Sequence, residues 1–388
     1  MRMIRQVTTI GLASACCLAL AAAPASAGDR RGGGHGGGDP FKVIAGGFDG
    51  PFQLADGYGN SIIVTQAGKG EVTQIDLRTG GTKTLATGVA GASGASLING
   101  KIAVVTGEEP TEGGPPADEQ MMAARGPATG PVPPNFASLL VGRPGGTLTP
   151  VADFLQFQEE HNSDGQDTDN PDFLDSLSNP FAVVEDRTHR GFALVTDGGG
   201  NAVLRVDRKG NIEEFFVPDV VRTGVCEGRP NNDPAHTGCD PVPTGITNGP
   251  WGSVYVAGLS GEAPGEGRVY ILDAWSGKLR KTLTGFNSPT GVAVDYRGNV
   301  YVAELLCGAP DGPPPTDPNE IAKVGRIVKV TPNGQRTYAQ ATLPNGLLLS
   351  GGKLYASTWS IAFFFGAVGA GQVVQVNDNA FGPDPDGC

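Results

Sequence analysis

Short strand pairs that recur six times, a Gly- and Pro-rich composition and almost no helical periodicity predict an all-β chain folded as a six-bladed β-propeller. Of 388 residues, 61 are Gly and 31 are Pro. Such a chain turns often and sustains few long elements.

The first strand pair of each unit is the clearest signal. It reads DGPFQLADGYGNSIIVTQ at Asp49, SGASLINGKIAVVTGE at Ser93 and SNPFAVVEDRTHRGFALVTD at Ser178. It recurs as VPTGITNGPWGSVYVAG at Val242, SPTGVAVDYRGNVYVAE at Ser288 and LPNGLLLSGGKLYAST at Leu343. A second pair follows each time, for example GEVTQIDLRTGGTKTLATG at Gly70 and GRVYILDAWSGKLRKTLTG at Gly267. Four short antiparallel strands repeated at this spacing define propeller blades. The sixth unit supplies only three strands, ending with GQVVQVND at Gly371. FKVIAGG at Phe41 reads as a fourth strand without a unit of its own, so it is expected to complete the last blade and close the ring.

That topology assigns every loop to a face. The connections between strands 1 and 2 and between strands 3 and 4 are short hairpins on one face. The long insertions all fall in the other class. Glu108–Asn135, Gly258–Gly267, Glu304–Gly325 and Thr358–Ala370 join strands 2 and 3. Asp153–Leu177 and Val217–Pro241 cross to the next blade. All six are expected on one elaborated face, around the mouth of the central channel, where binding residues concentrate.

The ends and the cysteines set the compartment. Arg2 and Arg5, an apolar run and Ala25-Ser26-Ala27 read as a secretory signal peptide over residues 1–27. Residues 28–40 read as a Gly-rich linker, and 41–388 as a single propeller domain. No later apolar run reaches the roughly 20 residues of a membrane span. The formal charge of -12 argues against nucleic acid and anionic lipid as partners. Four cysteines lie beyond the leader, and three pairings are open to them. Proximity in sequence favours Cys226 with Cys239, leaving Cys307 with Cys388. A zinc site has the wrong spacing. The sequence points to a monomer secreted to the extracellular space or the periplasm.

Side chains at the starts of the first strands and the ends of the second strands are expected to surround the channel mouth. They make Asp49, Glu108, Asn179, Asp197, Thr244, Thr290, Glu304 and Asn345 the candidate ligand-binding residues. Their oxygens suit a calcium ion, although Asn, Asp and Thr also cap turns. The acidic run HNSDGQDTDNPDFLDSLSNPF at His161 adds Asp164, Asp167, Asp169 and Asp172 as candidate calcium ligands. The run lacks the Gly and Glu positions of an EF-hand loop, so a plain solvated crossover is the competing reading. The histidines are scattered: His35 in the linker, and His161, His189 and His236 in three different connections. That scatter disfavours a histidine base or a multi-histidine metal centre. No G-x-S-x-G elbow is present. The leading expectation is ligand or partner binding without catalysis, and the alternative is a calcium-dependent lactonase- or esterase-like hydrolase or lyase on the same face.

Segments spread along the chain carry a family resemblance. KIAVVTGE at Lys101, ADFLQFQEEHNSDGQDTDNPDFLDSLSNPFAVV at Ala152, TDGGGNAVLRVDRKGNIEEF at Thr196 and VPTGITNGPWGSVYVAGLSG at Val242 resemble the ScyD/ScyE family of extracellular propellers. The resemblance implies a relative of NHL-repeat and strictosidine-synthase-like six-bladed propellers. It transfers no catalytic residue, and it does not imply a role in pigment biosynthesis. The Pro-rich insertion at Glu108 and the apolar segment at Ile361 depart from the family pattern.

Overall fold

Phe41–Phe48 (β1) lies antiparallel to Gly371–Val376 (β24), with Phe41 opposite Val376 and Phe48 opposite Gly371. The last blade is thus completed by the first strand, as expected. The computed structural model describes residues 39–107, 134–166, 177–188, 190–231, 236–310, 315, 317–384 and 388. All of them belong to one compact unit, Gly37–Cys388.

Six four-stranded antiparallel sheets form the ring. Blade one is β2 (Pro51–Asp56), β3 (Ser61–Gln66), β4 (Glu71–Asp76) and β5 (Thr82–Ala86). Blade two is β6 (Ala92–Ile98), β7 (Lys101–Thr106), β8 (Ser138–Gly142) and β9 (Leu148–Asp153). Blade three is β10 (Pro180–Glu185), β11 (Ala193–Asp197), β12 (Ala202–Val206) and β13 (Ile212–Phe216). Blade four is β14 (Pro243–Gly249), β15 (Ser253–Gly258), β16 (Gly267–Asp273) and β17 (Leu279–Phe286). Blade five is β18 (Pro289–Val294), β19 (Val300–Glu304), β20 (Arg326–Val330) and β21 (Arg336–Gln340). Blade six is β22 (Leu347–Ser350), β23 (Lys353–Thr358), β24 and β1.

The core is divided among the seams. Each pair of neighbouring blades encloses its own apolar cluster, and successive residues of one strand serve opposite seams. On β3, Ile62 and Val64 pack toward Tyr355 and Val373 of blade six. Ile63 between them packs toward Ala95 and Val104 of blade two. Both faces of a blade are therefore buried, and the middle strands read as unbroken apolar runs rather than as alternations.

Two short helices interrupt the long connections. Phe154–His161 (α1) opens the crossover into blade three, capped by Asp153, whose side chain accepts from the Gln156 N–H at 3.0 Å. Phe154 is fully buried in the seam between blades two and three. Pro318–Ile321 (α2), capped by Asp317, lies in the insertion of blade five. Beyond β24 the chain does not simply stop. Gly382 exchanges backbone hydrogen bonds with Tyr338 at the outer edge of blade five, and the Asp384 carboxylate meets Arg326 Nη1 at 3.0 Å through both oxygens.

Both expected disulfides are present, Cys226–Cys239 and Cys307–Cys388, with Cα–Cα separations of 5.3 Å and 5.2 Å. No helix among the described residues is long and apolar enough to cross a membrane.

Candidate functional site

The inner strands converge on the axis through one position per blade: Gln53, Gly94, Ala182, Gly245, Gly291 and Gly346. Four of the six are Gly because the backbones nearly touch. A Cβ on Gly94 would stand 2.8 Å from the Ala182 Cα, and one on Gly245 would stand 2.8 Å from the Gly291 Cα. What remains on the axis is a cavity of about 20 Å³, lined in part by Gln53, Thr290 and Asn345. That is room for about one water molecule. The mouth of the ring is therefore a shallow surface and not the top of an open pore.

The residues beside that position hold the ring together. Ser93, Thr244 and Thr290 each donate a hydroxyl to the carbonyl of the next blade's proline: Pro180 at 2.6 Å, Pro289 at 2.8 Å and Pro344 at 3.2 Å. Blades one, three and six carry Phe52, Phe181 and Asn345 there instead. In those blades a hydroxyl on the second strand takes over. Thr65 donates to the Ser93 carbonyl at 3.0 Å, Ser357 to that of Phe52 at 2.8 Å, and Thr196 to that of Thr244. Every seam thus has one inner hydroxyl bridging to the next blade. Thr244 and Thr290, candidates from the sequence, spend their only donor on this work.

The carboxylates at the mouth are also engaged internally. Asp197 is fully buried. Its Oδ1 accepts from the N–H groups of Asn179 (2.7 Å) and Gly200 (3.1 Å), and its Oδ2 from Ser178 Oγ (2.7 Å) and Gln158 Nε2 (3.4 Å). Burial pushes its pKa up, and these four donors pull against that shift. Glu304, equally buried, accepts from the Asn287 N–H at 2.9 Å and pairs with Arg326. Burial raises its pKa as well, opposed by the guanidinium. Gln66, unmarked by sequence reasoning, plays the matching part in blade one by accepting from the Asp49 N–H at 3.0 Å. The shared task of the three is to tie the incoming crossover to the end of the second strand.

Two acceptors at the mouth are different. Asp49 Oδ1 and Asn345 Oδ1 are buried and have no hydrogen-bond partner among the described residues. They belong to adjacent blades, one and six. Burial raises the pKa of Asp49, with Lys69 opposing it. Asp197 and Glu304, in contrast, have donors on both of their oxygens, and Glu304 faces a guanidinium.

Of the acidic run, residues 161–166 and 177–181 are among those described. Asp164 accepts from Asn201 Nδ2 at 2.8 Å and from the Gln166 N–H at 3.1 Å, and Gln166 Nε2 donates to Asp240 at 2.5 Å. These bonds stitch the crossover of blade three to that of blade four. Burial raises the pKa of Asp164, and Asp240 adds to the rise. Asp167, Asp169, Asp172, Glu108 and His189 lie outside the described residues. His161 ends α1, with Nδ1 2.9 Å from the Phe157 carbonyl and its ring stacked on Phe157.

The apolar segment at Ile361 folds back onto the ring. Ala362 is buried in a small cluster with Leu305, Ile321, Val324 and Leu343, which joins the insertions of blades five and six. The Phe363 ring lies against Gly50, where a Cβ would come within 2.7 Å of Cε1. The segment is thus a packed rim beside Asp49.

No family model matches the chain, and no curated protein matches it in sequence. Similar solved structures are propellers. A luciferin-regenerating enzyme aligns over 89% of this chain and 97% of its own, with 9% identity and a TM-score of 0.50. A gluconolactonase from Xanthomonas campestris aligns over 87% and 89%, with 10% identity and a TM-score of 0.50. A virginiamycin B lyase from Staphylococcus aureus aligns over 89% of each chain, with 15% identity and a TM-score of 0.44. The two alignments at a TM-score of 0.50 show a shared fold, and identities this low say nothing of its chemistry.

Proposed function

We propose that this is an exported propeller that binds a ligand on its loop-rich face, over the closed axis, and carries out no reaction there. The observation that carries the reading is the pair of lone buried acceptors, Asp49 Oδ1 and Asn345 Oδ1, beside carboxylates whose oxygens are taken. A buried acceptor without a donor costs about 1–3 kcal/mol, which a ligand N–H or O–H would recover. The ligand group that suits these acceptors is a hydrogen-bond donor, such as an ammonium or a hydroxyl. The two disulfides and the leader-like residues 1–27 support export. Kinship with ScyD/ScyE propellers is inferred from the segments at Lys101, Ala152, Thr196 and Val242.

A calcium-assisted hydrolase or lyase on this face is the second reading, and the oxygen of Asn345 beside the axial cavity favours it. Thermal melts in calcium chloride and in chelator separate the two. Equal midpoints, with no turnover of chromogenic esters or lactones, uphold the binding reading. A rise of a few degrees in calcium that Asn345→Ala removes, together with turnover, replaces it with the second.

A further inference from the structure

The hairpin face, opposite the site above, carries a second kind of surface. The chain has three Trp, and two of them stand on this face with most of their area in water: Trp251 at 72% exposed and Trp275 at 59%. Tyr296, in the hairpin of the adjacent blade, is 76% exposed. Single exposed aromatics need no explanation, but three in neighbouring turns form a patch.

The patch is built rigidly. Arg190 of blade three lies over the Trp275 ring, 5.4 Å from its centroid, and donates to its carbonyl at 3.2 Å. Asp273 accepts from the Trp275 N–H at 3.1 Å and pairs with Arg280, which donates to the Trp251 carbonyl at 3.2 Å. The Trp251 ring rests against Gly298, beside Tyr296 and Arg297, and Arg297 stacks on Tyr296. The backbones are pinned, and each ring has a neighbour against it while most of its area stays in water.

At its other end the track meets a groove. Between blades two and three lies a cavity of about 360 Å³ lined by apolar Val141, Val151 and Phe192 and by Asn99, Lys101, Arg208 and one carboxylate, Asp207. Phe192 is two residues from Arg190. The volume falls within the range of small-molecule sites.

The charge of this face opposes that of the whole. Its aspartates are half-exposed, but their oxygens are held by their own turns. Asp207 accepts from the N–H groups of Lys209 and Asn211, and Asp295 from those of Arg297 and Asn299. Arg190, Arg208 and Arg297 are exposed. A protein of charge -12 thus presents a basic, aromatic track across blades two to five.

We propose that this track binds an anionic polysaccharide. Flat exposed rings in neighbouring turns match the apolar faces of pyranose units. The arginines between them match carboxylates, for which a guanidinium is the preferred partner. The groove between blades two and three takes one sugar unit.

The test is binding of polygalacturonate oligomers to the full chain, followed by Trp fluorescence and by calorimetry, with neutral dextran as control. Binding to polygalacturonate alone is expected, weakening as salt is added. Trp251→Ala with Trp275→Ala should weaken it about tenfold or more, by loss of stacking. Arg190→Gln with Arg208→Gln should weaken it separately, and unchanged melting midpoints would show that both variants fold. Unaltered affinity in both variants overturns the proposal. So does equal binding of dextran, or equal binding of duplex DNA, which would mark a generic polyanion contact. Self-association in sedimentation that the same substitutions abolish would make a second copy the occupant and overturn it as well.

Discussion

Gln53 of the first blade is hydrogen-bonded to Val183 of the third through both ends of its amide. Nε2 donates to the Val183 carbonyl at 2.9 Å, and Oε1 accepts from the Val183 N–H at 3.1 Å. The second blade lies between them in sequence and in the ring. Its inner residue, Gly94, has no side chain, and a Cβ there would strike Gln53 Oε1 and stand 2.8 Å from the Phe181 carbonyl. One long residue and one absent side chain together form a strut across the axis.

Gln53→Ala should therefore destabilise the fold by about 2–4 kcal/mol, because it leaves two buried backbone groups of Val183 unpaired. Gly94→Ala should cost at least as much, since the obstacle is backbone. Urea unfolding reads both. A loss under about 0.5 kcal/mol in either would show that the strut carries no weight.

The seam hydroxyls make a prediction about rescue. Thr244→Val keeps the shape and removes the donor to Pro289, and should cost about 1 kcal/mol or more. Blade four carries Ala257 where blades one, three and six carry the second-strand hydroxyl. Adding Ala257→Thr to Thr244→Val should recover part of the loss. Equal stability of the single and double variants would show that the two positions do not substitute for one another.

Asp197 predicts a slope with pH. Burial lifts its carboxyl above the ordinary 3.8, against the pull of its four donors. An acid with a higher pKa folded than unfolded holds its proton more tightly when folded. Its contribution is fully present below 3.8 and is lost as pH rises through the folded value. Asp197→Asn, of the same shape, should flatten that decline. The quantity to compare is the slope of unfolding free energy from acid to neutral pH, and parallel slopes in the two proteins would remove the assignment.

The disulfides should differ in worth. Cys307–Cys388 spans 81 residues and Cys226–Cys239 spans 13. Chain entropy alone gives about 4.5 kcal/mol for the long loop and about 3 kcal/mol for the short one. Cys388→Ser should also loosen Asp384 from Arg326, the partner of Glu304. Melts of the two single-bridge variants rank them, and a larger loss from Cys226→Ser would reverse the order.

Much of this architecture is legible in the chain. The motifs PTGI at Pro243 and PTGV at Pro289 repeat the first strand, and the unpaired FKVIAGG gives the closure. Loop lengths sort the two faces. What the chain does not display is how each polar side chain is used. Asp197 and Glu304 look like ligands for a metal because their pairing with Gln158, Ser178 and Arg326 depends on contacts from 19 to 39 residues away. Gln53 shows no pattern at all, since its partner lies 130 residues on. Periodicity reports which face of a strand is buried, but a single hydrogen bond between distant blades leaves no period behind.

The closing strand has a consequence for assembly in time. β1 and β24 stand at opposite ends of the propeller in sequence, so their pairing is the most distant contact in the ring. Local hairpins form first, and the final zip waits until the whole length is available. Until then blade six shows a bare edge at β24, the kind of edge that recruits a strand from another molecule. Two chains that meet at this stage would trade their β1 segments and emerge as an exchanged dimer, each ring sealed by its neighbour.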